Sequence, residues 1–76
     1  MHIRYTHHAR QRMQDRKVSE ALVEEVIDQP DELTIGEQDE WIAIRTYGNR
    51  RIEVVYEEVD DNTALIFTVI SVRLLR

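Results

Sequence analysis

The chain has 76 residues, 33% of them charged, a formal net charge of −5 and no cysteine. This describes one small domain spanning residues 1–76, and it excludes a disulfide scaffold, a thiol nucleophile and a cysteine zinc site. Ordering such a chain costs about 1.5 kcal/mol per residue, so its apolar side chains are needed for the core and any site is expected on an exposed face or in an open cleft. With 42% hydrophobic residues, no apolar run near the ~18 of a membrane span and no signal-peptide stretch in MHIRYTHHAR, a soluble protein of the cytoplasm is expected.

In chain order, Thr6 can cap a first helix of residues 7–16. At about 100° per residue from His8, Arg12 falls near 40°, Arg16 near 80°, Ala9 near 100° and Met13 near 140°. The apolar stripe is therefore only Ala9 and Met13, with Arg12 and Arg16 beside or inside it. A helix selected for stability alone would carry leucine at one of these arginines. His8, Arg12 and Arg16 form a ridge at i, i+4 and i+8. One role for Arg16 is an ion pair to the acidic segment that follows. The other is a phosphate site, because arginine presents a planar, permanently charged fork and histidine is readily poised as an acid or base. His7 and His8 diverge on a helix and have no carboxylate four residues away, so no metal site is expected, and no cofactor.

A second helix starts at Ser19, with Glu20 in its first turn and Val18 and Val23 placed as a hydrophobic staple. Leu22, Val23, Val26 and Ile27 continue at helical spacing, and Pro30 ends the run. The hydrophobic period then becomes two: Leu33 and Ile35, then Trp41 to Tyr47, then Arg51 to Glu57. Gly48-Asn49-Arg50 reads as a three-residue hairpin loop. It pairs Thr46 with Ile52, Ile44 with Val54 and Ile42 with Tyr56 on one apolar face. A two-residue loop would set Ile44 against Glu53 and mix the faces. After the turn Asp60-Asp61-Asn62, residues 64–72 are apolar on both parities and read as a central strand buried on both faces, or at least well flanked. The expected architecture is α+β, in the order ααββββ. Two helices pack on one face of a four-stranded, mainly antiparallel sheet, and either Leu33–Ile35 or His2–Tyr5 completes an edge.

Charge is unevenly divided. Residues 1–18 carry five cations against one carboxylate, and residues 19–43 carry nine carboxylates and no Lys or Arg. Residues 44–56 return to three arginines against Glu53. A local basic patch is what phosphate binding requires, whatever the net charge. On the expected solvent face of the hairpin, Arg45, Tyr47 and Arg51 with Arg50 in the turn suit single-stranded RNA, since bases stack on rings and phosphates sit on arginines. The alternative is structural: an Arg45–Glu53 ion pair and a Tyr47–Arg51 cation–π contact.

The run Tyr5-Thr6-His7-His8-Ala9-Arg10-Gln11-Arg12-Met13-Gln14-Asp15-Arg16, followed by Val18-Ser19 and a helix ending at Pro30, resembles a family of small bacterial and archaeal domains of unknown function. Their pattern is H-A-x-x-R-M-x-x-R. The strands Arg51–Tyr56 and Leu65–Val69 resemble its paired strands. Lys17 stands where many relatives have glycine. The family is similar to the BrnT and RelE/ParE-type toxins, whose ribonuclease members cleave RNA without metal. The resemblance implies a metal-independent endoribonuclease, the toxin of a toxin–antitoxin pair. Its catalytic residues would be His8, Arg12, Arg16 and Arg51, with Arg45, Tyr47 and Arg50 gripping RNA. Its partners would be RNA and a possible antitoxin protein. A non-catalytic protein- or nucleic-acid-binding domain of the same fold is the alternative.

Overall fold

The computed structural model describes residues 1–75. Seven elements follow in order: β1 (His2–Tyr5), α1 (His7–Arg16), α2 (Glu20–Asp28), β2 (Glu32–Ile35), β3 (Trp41–Tyr47), β4 (Arg50–Asp60) and β5 (Thr63–Arg73). They form a five-stranded mixed sheet in the order β1-β5-β4-β3-β2, with β1 parallel to β5 and the other pairs antiparallel. The architecture is α+β, but the expected four-stranded, mainly antiparallel ααββββ sheet is corrected. Both segments considered for an edge are strands, one at each side. The short N-terminal strand forms because β5 has an unfilled side and Tyr5 opposite Ile66 continues the core. No described helix is long and apolar enough to cross a membrane.

Helix α1 begins where its cap also grips the sheet. The Thr6 hydroxyl accepts from Ala9 N at 3.0 Å and donates to Phe67 O at 3.1 Å, while Thr6 N donates to Ile66 O at 3.1 Å. At this point β5 carries a bulge: Tyr56 pairs with Ile66 and Val55 with Thr68, leaving Phe67 unpaired in the ladder. The bulge inverts parity, so Ala64 and Ile66 before it and Val69 after it all face the helices. At its other end α1 closes in a Schellman turn, with Val18 N donating to Met13 O at 2.8 Å and Lys17 N to Gln14 O at 3.3 Å. Lys17 is left-handed there, with φ 55°, a conformation that glycine adopts without the steric penalty of a Cβ.

Helix α2 forms as its spacing predicts. Ser19 Oγ accepts from Leu22 N at 3.1 Å, and Val18 and Val23 are both buried. One core lies between the helices and the sheet. Ala9 and Met13 of α1 and Val23 and Val26 of α2 meet Ala43, Ile52, Val54, Tyr56, Ala64, Ile66 and Val69. The fully buried Ala43 lies on the strand beneath α2, where its small side chain leaves room for a helix.

The hairpin register is shifted by one residue from expectation. Tyr47 pairs with Arg50, Arg45 with Ile52 and Ala43 with Val54, so the loop is the two residues Gly48-Asn49. Gly48 alone of the pair has positive φ, at 62°, the pattern of a type II′ turn, whose twist matches that of the strands. Trp41, Ala43, Arg45 and Tyr47 therefore face the helices, while Ile42, Ile44 and Thr46 share the opposite face with Arg51, Glu53 and Val55. Ile44 does stand against Glu53. The mixing is tolerated because Glu53 is neutralised by Arg51 (Nε to Oε2, 3.2 Å) and Ile44 is still only 6% exposed. β5 is flanked by β1 and β4 as expected of a central strand, but the sheet has helices on one face alone, so β5 is covered on one side instead of both.

Two predictions follow from the α1 ends. Lys17→Gly removes the left-handed penalty of an L-residue, about 1 kcal/mol, and thermal unfolding should show a melting temperature higher by a few degrees. Beneath α1, the Tyr5 hydroxyl is buried without a hydrogen-bond partner and the Arg10 guanidinium sits 4.5 Å over its ring. Its pKa is pushed up to about 12, chiefly by burial and then by Glu20 and Glu24, with Arg10 opposing. The fold thus prefers the neutral phenol. That contribution is complete below about pH 10 and is lost as pH rises toward 12. Denaturant midpoints should decline across this window, and more shallowly in Tyr5→Phe.

Candidate functional site

The hairpin end of the sheet meets the C-terminus of α1, where the helix leaves carbonyls without intrahelical partners. Arg50, first residue of β4, points to the helix face and fills that need. Its Nη2 donates to Arg16 O and, at 3.4 Å, to Lys17 O, while its Nε donates to Ser71 Oγ at 2.9 Å. A cation at a helix C-terminus is also favoured by the helix dipole. Around this anchor, Arg16, Lys17, Asn49, Arg50, Ser71 and Arg73 line an open cleft of about 440 Å³.

The electrostatics of the cleft are one-sided. Four of its six lining residues are cations and none is a carboxylate. None of the four forms an ion pair among the described residues. Arg50 and Arg73 are direct cross-strand neighbours, an arrangement of like charges that lowers stability. The Arg16 Nε is buried and has no hydrogen-bond partner. Such a cleft has an unmet demand for an anion. The planar forks of Arg16 and Arg73, the Lys17 ammonium and the Asn49 amide supply donors suited to phosphate oxygens.

A second open cleft, of about 630 Å³, has the opposite character, with Glu24, Glu25 and Asp28 beside Met1, Ile3 and Ile27. It repels phosphate. Among the described residues no three His, Asp or Glu side chains come together as a metal site.

The residues read from the sequence separate into five places. Arg16 and Arg50 meet in the basic cleft. Arg12 lies one turn up α1, 3.8 Å from Asp15. His8 is exposed two turns up, about 12 Å along the axis from Arg16 at the usual helical rise. Arg51 lies on the opposite face of the sheet, paired with Glu53.

Arg45 and Tyr47 belong to a different job: they tie α2 to β3. Arg45 Nη1 donates to Gln29 O at 2.8 Å, its Nη2 lies 3.6 Å from Glu25 Oε1, and its guanidinium stacks 5.2 Å over the Tyr47 ring. Tyr47 donates to Glu25 Oε1 at 3.0 Å. Burial and then that bond push its pKa up, so it remains a donor at neutral pH. The expected Arg45–Glu53 and Tyr47–Arg51 contacts do not form, because the register shift places each pair on opposite faces. Nor does Arg16 pair with the acidic segment.

Lys17, Asn49, Ser71 and Arg73 were not singled out from the sequence. Lys17 had a signal in its adjacency to Arg16. Arg73 needed the β4–β5 register and its bulge.

Arg50→Ala leaves helix carbonyls without their donor and should lower stability by about 2 kcal/mol, the value of a charged hydrogen bond. Arg73→Ala relieves a like-charge pair, so its denaturation midpoint should equal or slightly exceed that of the parent. Parallel urea titrations check both.

A family model described as a domain of unknown function (DUF4258) matches residues 5–71. No curated protein and no solved structure gives a match.

Proposed function

Since the chain belongs to the DUF4258 family of domains of unknown function, we propose that it is a non-catalytic binding domain that takes single-stranded RNA on the basic cleft between α1 and the β4–β5 end. One observation carries this reading: Arg16, Lys17, Arg50 and Arg73 converge with no carboxylate among them. Successive phosphates of a flexible single strand are matched to such a group better than a small monoanion is, because four fixed cations exceed its charge. The first-helix signature, His8-Ala9 to Arg16, resembles a family that is in turn similar to the BrnT and RelE/ParE-type toxins, and the ribonuclease members of those toxins act on RNA, which supports RNA as the ligand class.

The same geometry favours binding over cleavage. Cleavage through a 2′-hydroxyl needs a general acid and base within hydrogen-bond reach of the phosphate that the cations hold. His8 stands two helical turns from Arg16, and Arg51 faces away from it. The cleft's own groups are arginines, a lysine, an amide and a hydroxyl. An antitoxin protein, required by a toxin, is not required by a binding domain.

Fluorescence anisotropy with a labelled single-stranded RNA tests the proposal. Binding should weaken steeply with salt, with a slope near −3 if four phosphates are contacted at about −0.7 each. Arg16→Ala and Arg73→Ala should each weaken binding several-fold and flatten the slope, while Arg4→Ala, outside the cleft, should not. Absence of binding at low salt overturns the reading. Cleavage of the RNA by the parent but not by His8→Ala overturns it in favour of an endoribonuclease.

A further inference from the structure

The face of the sheet turned away from the helices carries a pattern that RNA binding does not use. Strand pairing places Leu65, Ile70 and Val72 of β5, with Phe67 at the bulge, on this face. Beside them lie Val55 of β4 and Ile42 and Ile44 of β3. None of these seven belongs to the core cluster or packs against it. Ile70 and Val72 are 37% and 41% exposed. An antiparallel sheet that meets water on one side ordinarily alternates apolar and polar along each strand, and β5 does not. Its outer residues are apolar for most of its length.

The charges on this face have an order. Along β4 the outer residues run Arg51, Glu53, Val55, Glu57. Arg51 and Glu53 pair within the chain, whereas Glu57 is exposed and has no cation partner among the described residues. We infer that this face is the interface of a symmetric homodimer. A two-fold axis lying in the interface, perpendicular to the strands and crossing β4 between Glu53 and Val55, stacks each strand on its own copy in reverse.

That operation sets Arg51 over the second copy's Glu57, Val72 over its Leu65, Ile70 over its Phe67–Thr68 bulge and Ile44 over its Ile42. The apolar residues of β3 and β5 meet one another except where Ile70 also reaches Thr68, Glu53 lies over the second copy's Val55 with its charge held by Arg51, and Glu57 approaches that same guanidinium from the other copy. Sheets stacked in this way lie about 10 Å apart, within reach of Arg and Glu side chains from both sides. Arg4 and Glu32, on the outer strands of the same face, fall at the rim. A closed two-fold interface must be complementary to itself, and here that match rests on the β3 and β5 rows and on the two Arg51–Glu57 approaches. The two helix layers, and with them the two basic clefts, remain outside. The inference is independent of the RNA reading, and either stands if the other fails.

Three strands and four rows at the usual spacings cover about 400 Å² per copy. This is less than the ~800 Å² per partner of a standard interface, so a weak dimer is expected. Sedimentation velocity on the full chain, from about 5 to 500 µM to span that weak regime, should show a concentration-dependent dimer. Ile70→Glu should leave a folded monomer, and Val72→Lys serves the same purpose if that variant does not fold. Arg51→Glu should raise the dissociation constant about tenfold, and the charge-swapped double variant Arg51→Glu/Glu57→Arg should restore it. A parent that stays monomeric throughout overturns the inference, as does a dimer indifferent to Ile70→Glu or Val72→Lys. So does a charge swap that fails to restore association.

Discussion

Two arginines of one hairpin cap the C-termini of the two helices, and most of the molecule's arrangement depends on that pair of contacts. Arg45 of β3 reaches the carbonyl of Gln29 at the end of α2, and Arg50 of β4 reaches those of Arg16 and Lys17 at the end of α1. Each satisfies acceptors that a short helix cannot satisfy itself, and each places positive charge at the negative end of a dipole. Both must project from the helix face. A one-residue slip of β3 would carry Arg45 away to the other side. The caps, the tight Gly48-Asn49 turn and the burial of Ala43 thus agree on one register.

The same contacts sort the cations. Arg45 is enclosed by Gln29, Glu25 and Tyr47, and Arg51 by Glu53, so both are neutralised where they stand. Arg10 is held by Glu20 and Tyr5. Arg50 is committed to carbonyls, which satisfy its donors without cancelling its charge. The uncompensated positive charge therefore gathers at the α1 end and the last strand. The acidic α2 borders the opposite cleft with Glu24, Glu25 and Asp28. A molecule of net charge −5 can in this way hold a strongly basic corner, because potential follows local arrangement.

The sheet shows a comparable division. Its helix side is closed by a core in which Ile52, Ile66, Val23, Val26, Val54 and Val69 are almost wholly buried. Its other side keeps an apolar row along β5 and carries Arg51, a residue drawn toward the catalytic group by the family pattern. On the structure Arg51 lies far from that group, on the uncovered face beside Glu53. The strand's apolar character on both parities was thus a true property of the chain, of which the fold of one chain uses half.

Local chemistry alone determined a good deal. The two helices, their caps at Thr6 and Ser19, the staple of Val18 on Val23 and the strand segments were legible because each depends on residues within a few positions of one another. The basic character of the first helix was equally legible, whereas the tension at Lys17 was signalled only by the family pattern and the structure gives its cause, a left-handed backbone at a non-glycine residue. What the tertiary structure decided was everything resting on long-range pairing. It set the fifth, parallel strand that His2–Tyr5 adds beside β5. It set the hairpin register that turned Arg45 inward and Arg51 outward, and the bulge at Phe67 that put Arg73 opposite Arg50. A strand's faces invert with a slip of one residue, and the energies that choose the register come from helix ends and core positions remote in sequence. The arginines could be counted from the chain, but which of them share a cleft could not.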